Sequence, residues 1–595
     1  MLREEVNSNL KWDLTHIFAT HEDWEKSFKE LGEELNKFSN YKGKLSNKDV
    51  LLDFFKFEDE FNKKSELVGL YIFLQHDKNL KDSLYIEDNA KLDIFDDKLT
   101  ELTTFIMPEL SNLNDEFYNQ LVSDENFKIY KYKIEHILSS KKHVLSQLQE
   151  ETLSVTSKYS GGFGDVFDAL SADFKFDSVE VNGKSEILNE GTYSKFVYSE
   201  DRKVRTKAYN NLYKTYNQFA NTLAQNYISF LKMCCSELKL RKEESAFYVC
   251  FHSEKISREL YDTLIKNVKN NINLQHDYFR LLKQKLNLTD FGFMDIYLSL
   301  SKNNNKHFSI EEQKKIVKQA LIPLGKEYIS TIETAFNNNW IDFCPSEVKQ
   351  SGGYMLDIYG VHPYILLNDN SNYSSLSTLI HELGHAMHSY YSNLNQPYIM
   401  KDYATFIAEI ASTVNEILLN KYLYNKAQTD EEKLFYLSKY IENFKSTVFR
   451  QVMFSQFEDF AIKTIENDGI LSENILTAKY KELLQENFLD IVNIDENIIH
   501  EWARVPHFYS PYYVFQYATS FISSVYIANA LYEDKFDMKQ KYFEMLKSGG
   551  NGYPTEILAK TGVDLTKNET YTYAFNSLKD ALNEAKVLIE KLNKK

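Results

Sequence analysis

Apolar residues recur along most of this chain at the three-to-four-residue spacing of a helix face. From residue 20 to about 155 the pattern repeats, as in Leu51, Phe54, Phe55, Phe57 and Phe61, and it predicts long antiparallel helices. Only 8 prolines and 19 glycines interrupt 595 residues, so helices are expected to dominate. The first clear break is Ser160-Gly161-Gly162-Phe163-Gly164. Residues 174–181 then alternate as a strand would, and Asn182-Gly183 is a hairpin turn signal. The helical period resumes near residue 190. Residues 361–368 are too apolar for a loop and, with the stretch from Tyr354, predict a small sheet. Pro363 within that run points to an edge strand, which could pair with an extended peptide backbone.

One helical stretch carries chemistry. Leu379, Ile380, Leu383, Ala386 and Met387 hold an apolar period around His381-Glu382-Leu383-Gly384-His385, with Ser374, Ser375 and Ser377 as candidate N-caps. This is the H-E-x-x-H pattern. Two histidines one turn apart on a single face can grip one zinc ion, and Glu382 beside them can act as general base toward an attacking water. Catalytic zinc requires a third protein ligand and an open position. The metzincin arrangement would need glycine and histidine where His388 and Tyr391 stand, so it is excluded. The following residues 403–416 read as a mostly apolar helix with Glu409 and Glu416 on one face. A carboxylate in an apolar run is costly unless it meets a metal or a partner. Glu409 is therefore the expected third ligand, and Glu416 is expected to orient a ligand histidine through its other ring nitrogen. A near-decoy, His500-Glu501-Trp502-Ala503-Arg504, lacks the second histidine. Gly183-Lys184-Ser185 lacks the earlier glycine of a phosphate loop, and no G-x-S-x-G serine elbow occurs.

The segment 381–388, followed by Glu409 in Ala-Glu-Ile-Ala-Ser and by Glu416, resembles the oligoendopeptidase F branch of the thimet oligopeptidase-like (M3) zinc peptidases. The likeness extends to Trp12-Asp13-Leu14 with Ile17-Phe18, to Asp201-Arg202, Arg205, Ala208 and Leu212-Tyr213, to residues 363–368 and to residues 504–509. Gly352-Gly353-Tyr354 departs from the Gly-Ala-Tyr or Gly-Ala-Phe that the family often carries. The resemblance implies a mainly α fold: a large helical shell around a deep substrate channel, with a small β-sheet beside the zinc helix. It implies an N-terminal helical region at 1–115, a helical and hairpin region at 116–200 and a zinc metallopeptidase catalytic domain at 201–595. It also implies that His507 and Tyr513 are donors to substrate and oxyanion, with Tyr517 in the third position of that segment. Tyr509 and Tyr512 remain competitors. Tyr364, Gly352 and Gly353 are implied as contacts to the substrate backbone.

Composition narrows the class further. A net charge of −17 argues against nucleic-acid binding, which needs clustered Lys and Arg. Tyr and Phe at 41 each suit large helix–helix contacts and a substrate channel. Cys234, Cys235, Cys250 and Cys344 form neither a C-x-x-C redox motif nor a zinc knuckle, and buried thiols are expected. The polar N-terminus and the absence of a bilayer-length apolar run lead to the expectation of a cytoplasmic protein without membrane partners. The expected function is Zn2+-dependent endopeptidase cleavage of short oligopeptides. A dipeptidyl carboxypeptidase-type exopeptidase, a non-catalytic peptide-binding protein and a helical scaffold are the alternatives. Monomer and homodimer are both open.

Overall fold

A computed structural model describes residues 3–157, 162–301 and 306–594. Ser160 and Gly161, part of the expected first break, lie outside the described residues. The chain is 71% helix and 3% strand, as the apolar period predicts. It forms two compact units, each assembled from separated stretches: 1–152, 305–419 and 527–563 in the first, and 153–304, 420–526 and 564–595 in the second. This division differs from the three consecutive segments expected from the sequence.

In the first unit, helix His21–Leu35 opens with a capping box in which Thr20 and Asp23 each accept the other's backbone N–H, so two donors at the helix start are satisfied. The helix Lys48–Lys78 begins at Asn47, whose side chain accepts from Asp49 and Val50. Leu51, Phe54, Phe55 and Phe61 are at most 1% exposed, and Phe57 packs at the margin of the same core. Some of its rings meet edge-on, as Phe38 and Phe61 do at 4.9 Å and 88°, the arrangement that opposes ring edge to ring face. This core is continuous with Ile358, Tyr364 and Leu366, so the N-terminal helices and the small sheet bury one another.

The sheet has three strands in the order Ile341–Asp342, Tyr364–Leu366, Tyr354–Leu356. Tyr364–Leu366 runs parallel to the first and antiparallel to the last. The expected edge strand is thus the central one. Pro363 immediately precedes it, so the missing N–H falls at the strand's start and leaves the ladder intact. The outer strand Tyr354–Leu356 packs against the helix Tyr373–Asn395.

That helix starts at Asn372, whose side chain accepts from the Ser375 N–H at 2.9 Å. The serines proposed as caps lie inside the first turns. Asparagine caps at least as well as serine, and here it stands one residue before the helical dihedrals begin.

In the second unit, the hairpin is confirmed but shorter than the alternation suggests: Val179–Val181 pairs with Lys184–Glu186. Asn182 and Gly183 both have positive φ, as a tight two-residue hairpin turn requires. Residues 174–178 stay out of the ladder because Asn211 takes the carbonyls of Asp177 and Ser178, while Phe174 packs its ring on Tyr216 and Phe219. Helix Arg202–Gln218 is anchored by Arg202 and Arg205, which both bind the fully buried Asp295.

The near-decoy is structural. His500 pairs with Glu473 at 3.1 Å, and buried Glu501 accepts from Tyr480 and Arg450. Burial raises the thiols of Cys234, Cys235 and Cys250 to about 11, 12 and 12, so they are protonated near neutral pH and poor nucleophiles. Among the described residues no helix is long and apolar enough to cross a membrane.

Candidate active site

The helix Tyr373–Asn395 buries Leu379, Ile380, Leu383, Ala386 and Met387 completely. That burial fixes its rotation and turns His381 and His385 to the half-open side. The next helix, Thr405–Lys426, does the same with Phe406, Ile407, Ile410, Ala411 and Val414, each at most 1% exposed, and presents Glu409 and Glu416. His381 Nε2 and His385 Nε2 lie 3.2 Å apart. Glu409 Oε2 is 3.5 Å from the first and 3.4 Å from the second. Ligands at zinc bonding distance in a tetrahedron stand roughly 3.3–3.6 Å from one another. Three donors with this spacing therefore fit one divalent cation. Among the described residues, His381, His385 and Glu409 are the group of this kind that the structure brings together.

The surrounding side chains define protonation. The Nδ1–H of His381 donates to Glu416 Oε1 at 2.5 Å, which turns Nε2 toward Glu409 and His385. Ser377 supports Glu416 from the preceding turn at 3.4 Å. Burial opposes charge on His381, but the Glu416 hydrogen bond and the nearby carboxylates outweigh it and raise the imidazole to about 9. Burial likewise opposes charge on Glu409, yet the hydrogen bond and charge of His385, with the charge of His381, bring that carboxyl to about 2. The site thus favours positive charge at its centre. Glu382 is 7% exposed, and burial raises its pKa although both histidines pull the other way. A carboxylate readier than usual to take a proton suits a general base.

The outer strand borders this helix. Gly352, at φ +86°, and Gly353 lead into it. A Cβ on Gly353 would come within 2.8 Å of the Thr378 methyl, one turn before His381. The Gly-Gly departure from the family pattern therefore goes with a bulky neighbour on the motif helix. Tyr364 does not suit the substrate-contact role implied for it. It is fully buried in the central strand, and its hydroxyl donates to the Asp13 carbonyl at 3.0 Å.

In the second unit, the segment 504–517 sorts its phenols. Tyr509 accepts from Asn226. Tyr512 is buried with its hydroxyl donating to Asp459 and its N–H to Glu458. Those two are committed to packing. His507, Tyr513 and Tyr517 instead form one cluster: the His507 ring lies nearly parallel to Tyr513 at 5.7 Å, and its Nε2 is 3.3 Å from the Tyr517 hydroxyl. Desolvation by the surrounding protein lowers the His507 pKa, which keeps the ring neutral near pH 7.

Sequence reasoning passed over three residues at the crossing of the two helices that carry this group: Gly384, Ser412 and Asn415. A small residue at the centre of the motif, with polar residues in the apolar run 405–419, was the available signal.

Known proteins resemble this chain over nearly its whole length. The model of peptidase family M3 matches residues 195–577, and the Oligopeptidase F model matches residues 109–176. The chain is 33% identical to Oligopeptidase PepF of Bacillus subtilis, over 99% of this chain and 89% of that protein. It is 34% identical to the Group B oligopeptidase PepB of Streptococcus agalactiae, over 99% and 98% of the two. The crystal structure of oligoendopeptidase-F from Enterococcus faecium is similar with a TM-score of 0.76 and 28% identity, covering 96% of this chain and 99% of that one. The chain belongs to peptidase family M3, the metallopeptidases, within its oligopeptidase F group.

Proposed function

We propose that this protein is a zinc-dependent endopeptidase that hydrolyses internal bonds of short oligopeptides in the cytoplasm. The observation that carries the reading is the convergence of His381 Nε2, His385 Nε2 and Glu409 Oε2 at 3.2–3.5 Å beside the buried Glu382. Held by these three donors, zinc would lower the pKa of water and polarise the scissile carbonyl. Glu382 takes the proton of the attacking water and delivers it to the leaving amine. Glu416 keeps the His381 proton on Nδ1, so that Nε2 is available as a ligand. The outer strand Tyr354–Leu356, led in by Gly352 and Gly353, offers the backbone edge for an extended peptide. His507 and Tyr513 donate to substrate and oxyanion, with Tyr517 assisting.

The test is mass spectrometry of peptide digests with and without chelator. Peptides blocked at both ends are expected to be cut internally, with loss on chelation and recovery on adding zinc. Removal of dipeptides from free C-termini alone would favour the exopeptidase reading. Stoichiometric zinc without cleavage would favour a peptide-binding protein.

A further inference from the structure

The helices Tyr373–Asn395 and Thr405–Lys426 cross where no side chain separates them. A Cβ on Gly384 would lie 2.5 Å from Ser412 Cα, 2.6 Å from Ser412 N and 2.6 Å from the Ala411 carbonyl oxygen. These are backbone atoms, so no rotamer change makes room. Only glycine permits this approach, and it lies one residue before His385. The crossing is pinned by Asn415, which is fully buried. Its Nδ2 donates to the Ile380 carbonyl at 3.2 Å, and its Oδ1 accepts from the Tyr328 hydroxyl at 3.2 Å.

Ser412 lies at the same point and is fully buried. Its hydroxyl reaches the Glu409 backbone carbonyl at 3.0 Å and Glu409 Oε2 at 2.9 Å. Oε2 is the oxygen that faces both histidines. One of its lone-pair directions is occupied by Ser412, which leaves another toward His381 and His385.

We infer that Gly384 and Ser412 are positioning residues for the metal: the glycine sets the separation of the two helices, and the serine sets the rotation of the Glu409 carboxylate so that Oε2 converges with the two imidazoles. The inference rests on the zinc reading above. A buried serine that merely satisfied its own helix would need only the backbone carbonyl. The bond to Oε2 is what ties it to the Glu409 carboxylate.

Zinc affinity, measured by competition with a chromogenic chelator, tests this alongside thermal unfolding of the metal-free protein. Ser412→Ala is expected to weaken zinc binding about 10–100-fold and to leave the metal-free unfolding midpoint unchanged. In a Glu409→Ala background the same change is expected to have no further effect, since it acts through that carboxylate. Gly384→Ala is expected to lose more affinity than Ser412→Ala while the metal-free chain still unfolds cooperatively. If Gly384→Ala does not fold, Ser412→Ala decides alone. Wild-type affinity in Ser412→Ala overturns the inference. So does an equal loss in the Glu409→Ala background, or a loss that follows a fall in metal-free stability. A wild-type protein without stoichiometric zinc would instead defeat the zinc reading itself.

Discussion

In the proposed mechanism Glu382 acts through its protonation, and burial raises its pKa. Glu382→Gln keeps the shape and removes the base. Zinc content is expected to stay stoichiometric while kcat falls about 10²–10⁴-fold; zinc loss in this variant would make Glu382 a ligand. Removing one oxyanion donor costs about 10²–10³ in kcat, so Tyr513→Phe is expected to depress turnover on that scale with KM and zinc little changed. Tyr517→Phe is expected to do less. Steady-state kinetics on a blocked peptide reads both. His388 carries a different consequence. It is fully buried, neither ring nitrogen meets a hydrogen-bond partner among the described residues, and it stacks on Tyr403 at 3.6 Å. Burial, aided by His385, lowers its pKa to about 3. Below its ordinary value of 6.5 the unfolded chain takes a proton that the folded chain refuses. Stability is therefore whole above that value and is lost as pH falls toward about 3. Near pH 5 the loss from this group is about 2 kcal/mol. His388→Phe retains the stack and is expected to remove that component, read as a smaller difference in urea unfolding between about pH 7 and pH 5.

At the scale of elements, the candidate metal site is an agreement between two helices. The first is started by Asn372, and loss of such a cap typically costs about 1 kcal/mol. Asn372→Ala is expected to lower stability by that amount and to speed amide exchange in residues 373–376 without altering zinc stoichiometry. Exchange measured by mass spectrometry checks this, and unchanged exchange there would mean the start is held by packing alone. The same two helices show where the sequence was legible. The apolar period placed His381, His385, Glu409 and Glu416 on the right faces because burial of one helix side is a local property. It could not place Ser412 on the Glu409 oxygen, because that bond depends on a side-chain rotation inside a packed crossing.

At the scale of the molecule, each unit is assembled from stretches far apart in the chain. The core around Phe54, Phe55 and Phe61 includes Ile358, Tyr364 and Leu366, so the sheet next to the motif helix is half of a core whose other half is N-terminal. A fragment 201–595, the catalytic domain expected from sequence, would expose that face. It is expected to lack a cooperative thermal transition and stoichiometric zinc. A fragment that shows both would mean the N-terminal helices are dispensable to the site.

The sequence by itself determined the helical class and pointed to His381, His385 and Glu409, which the structure brings together, because helical periodicity and motif spacing are local properties of the chain. It also marked 504–517 as a run in which a histidine and four phenols cluster. Only the tertiary structure decided the rest. It made Tyr364–Leu366 the central strand, since pairing depends on neighbours distant in the chain and Pro363 stops one residue short of the ladder. It committed Tyr509 and Tyr512 to Asn226 and Asp459 and grouped Tyr513 and Tyr517 with His507, since the four phenols of the run look alike until their partners arrive. It drew the units from interleaved stretches, because a core closes by burying whichever apolar faces meet in space, whatever their order along the chain.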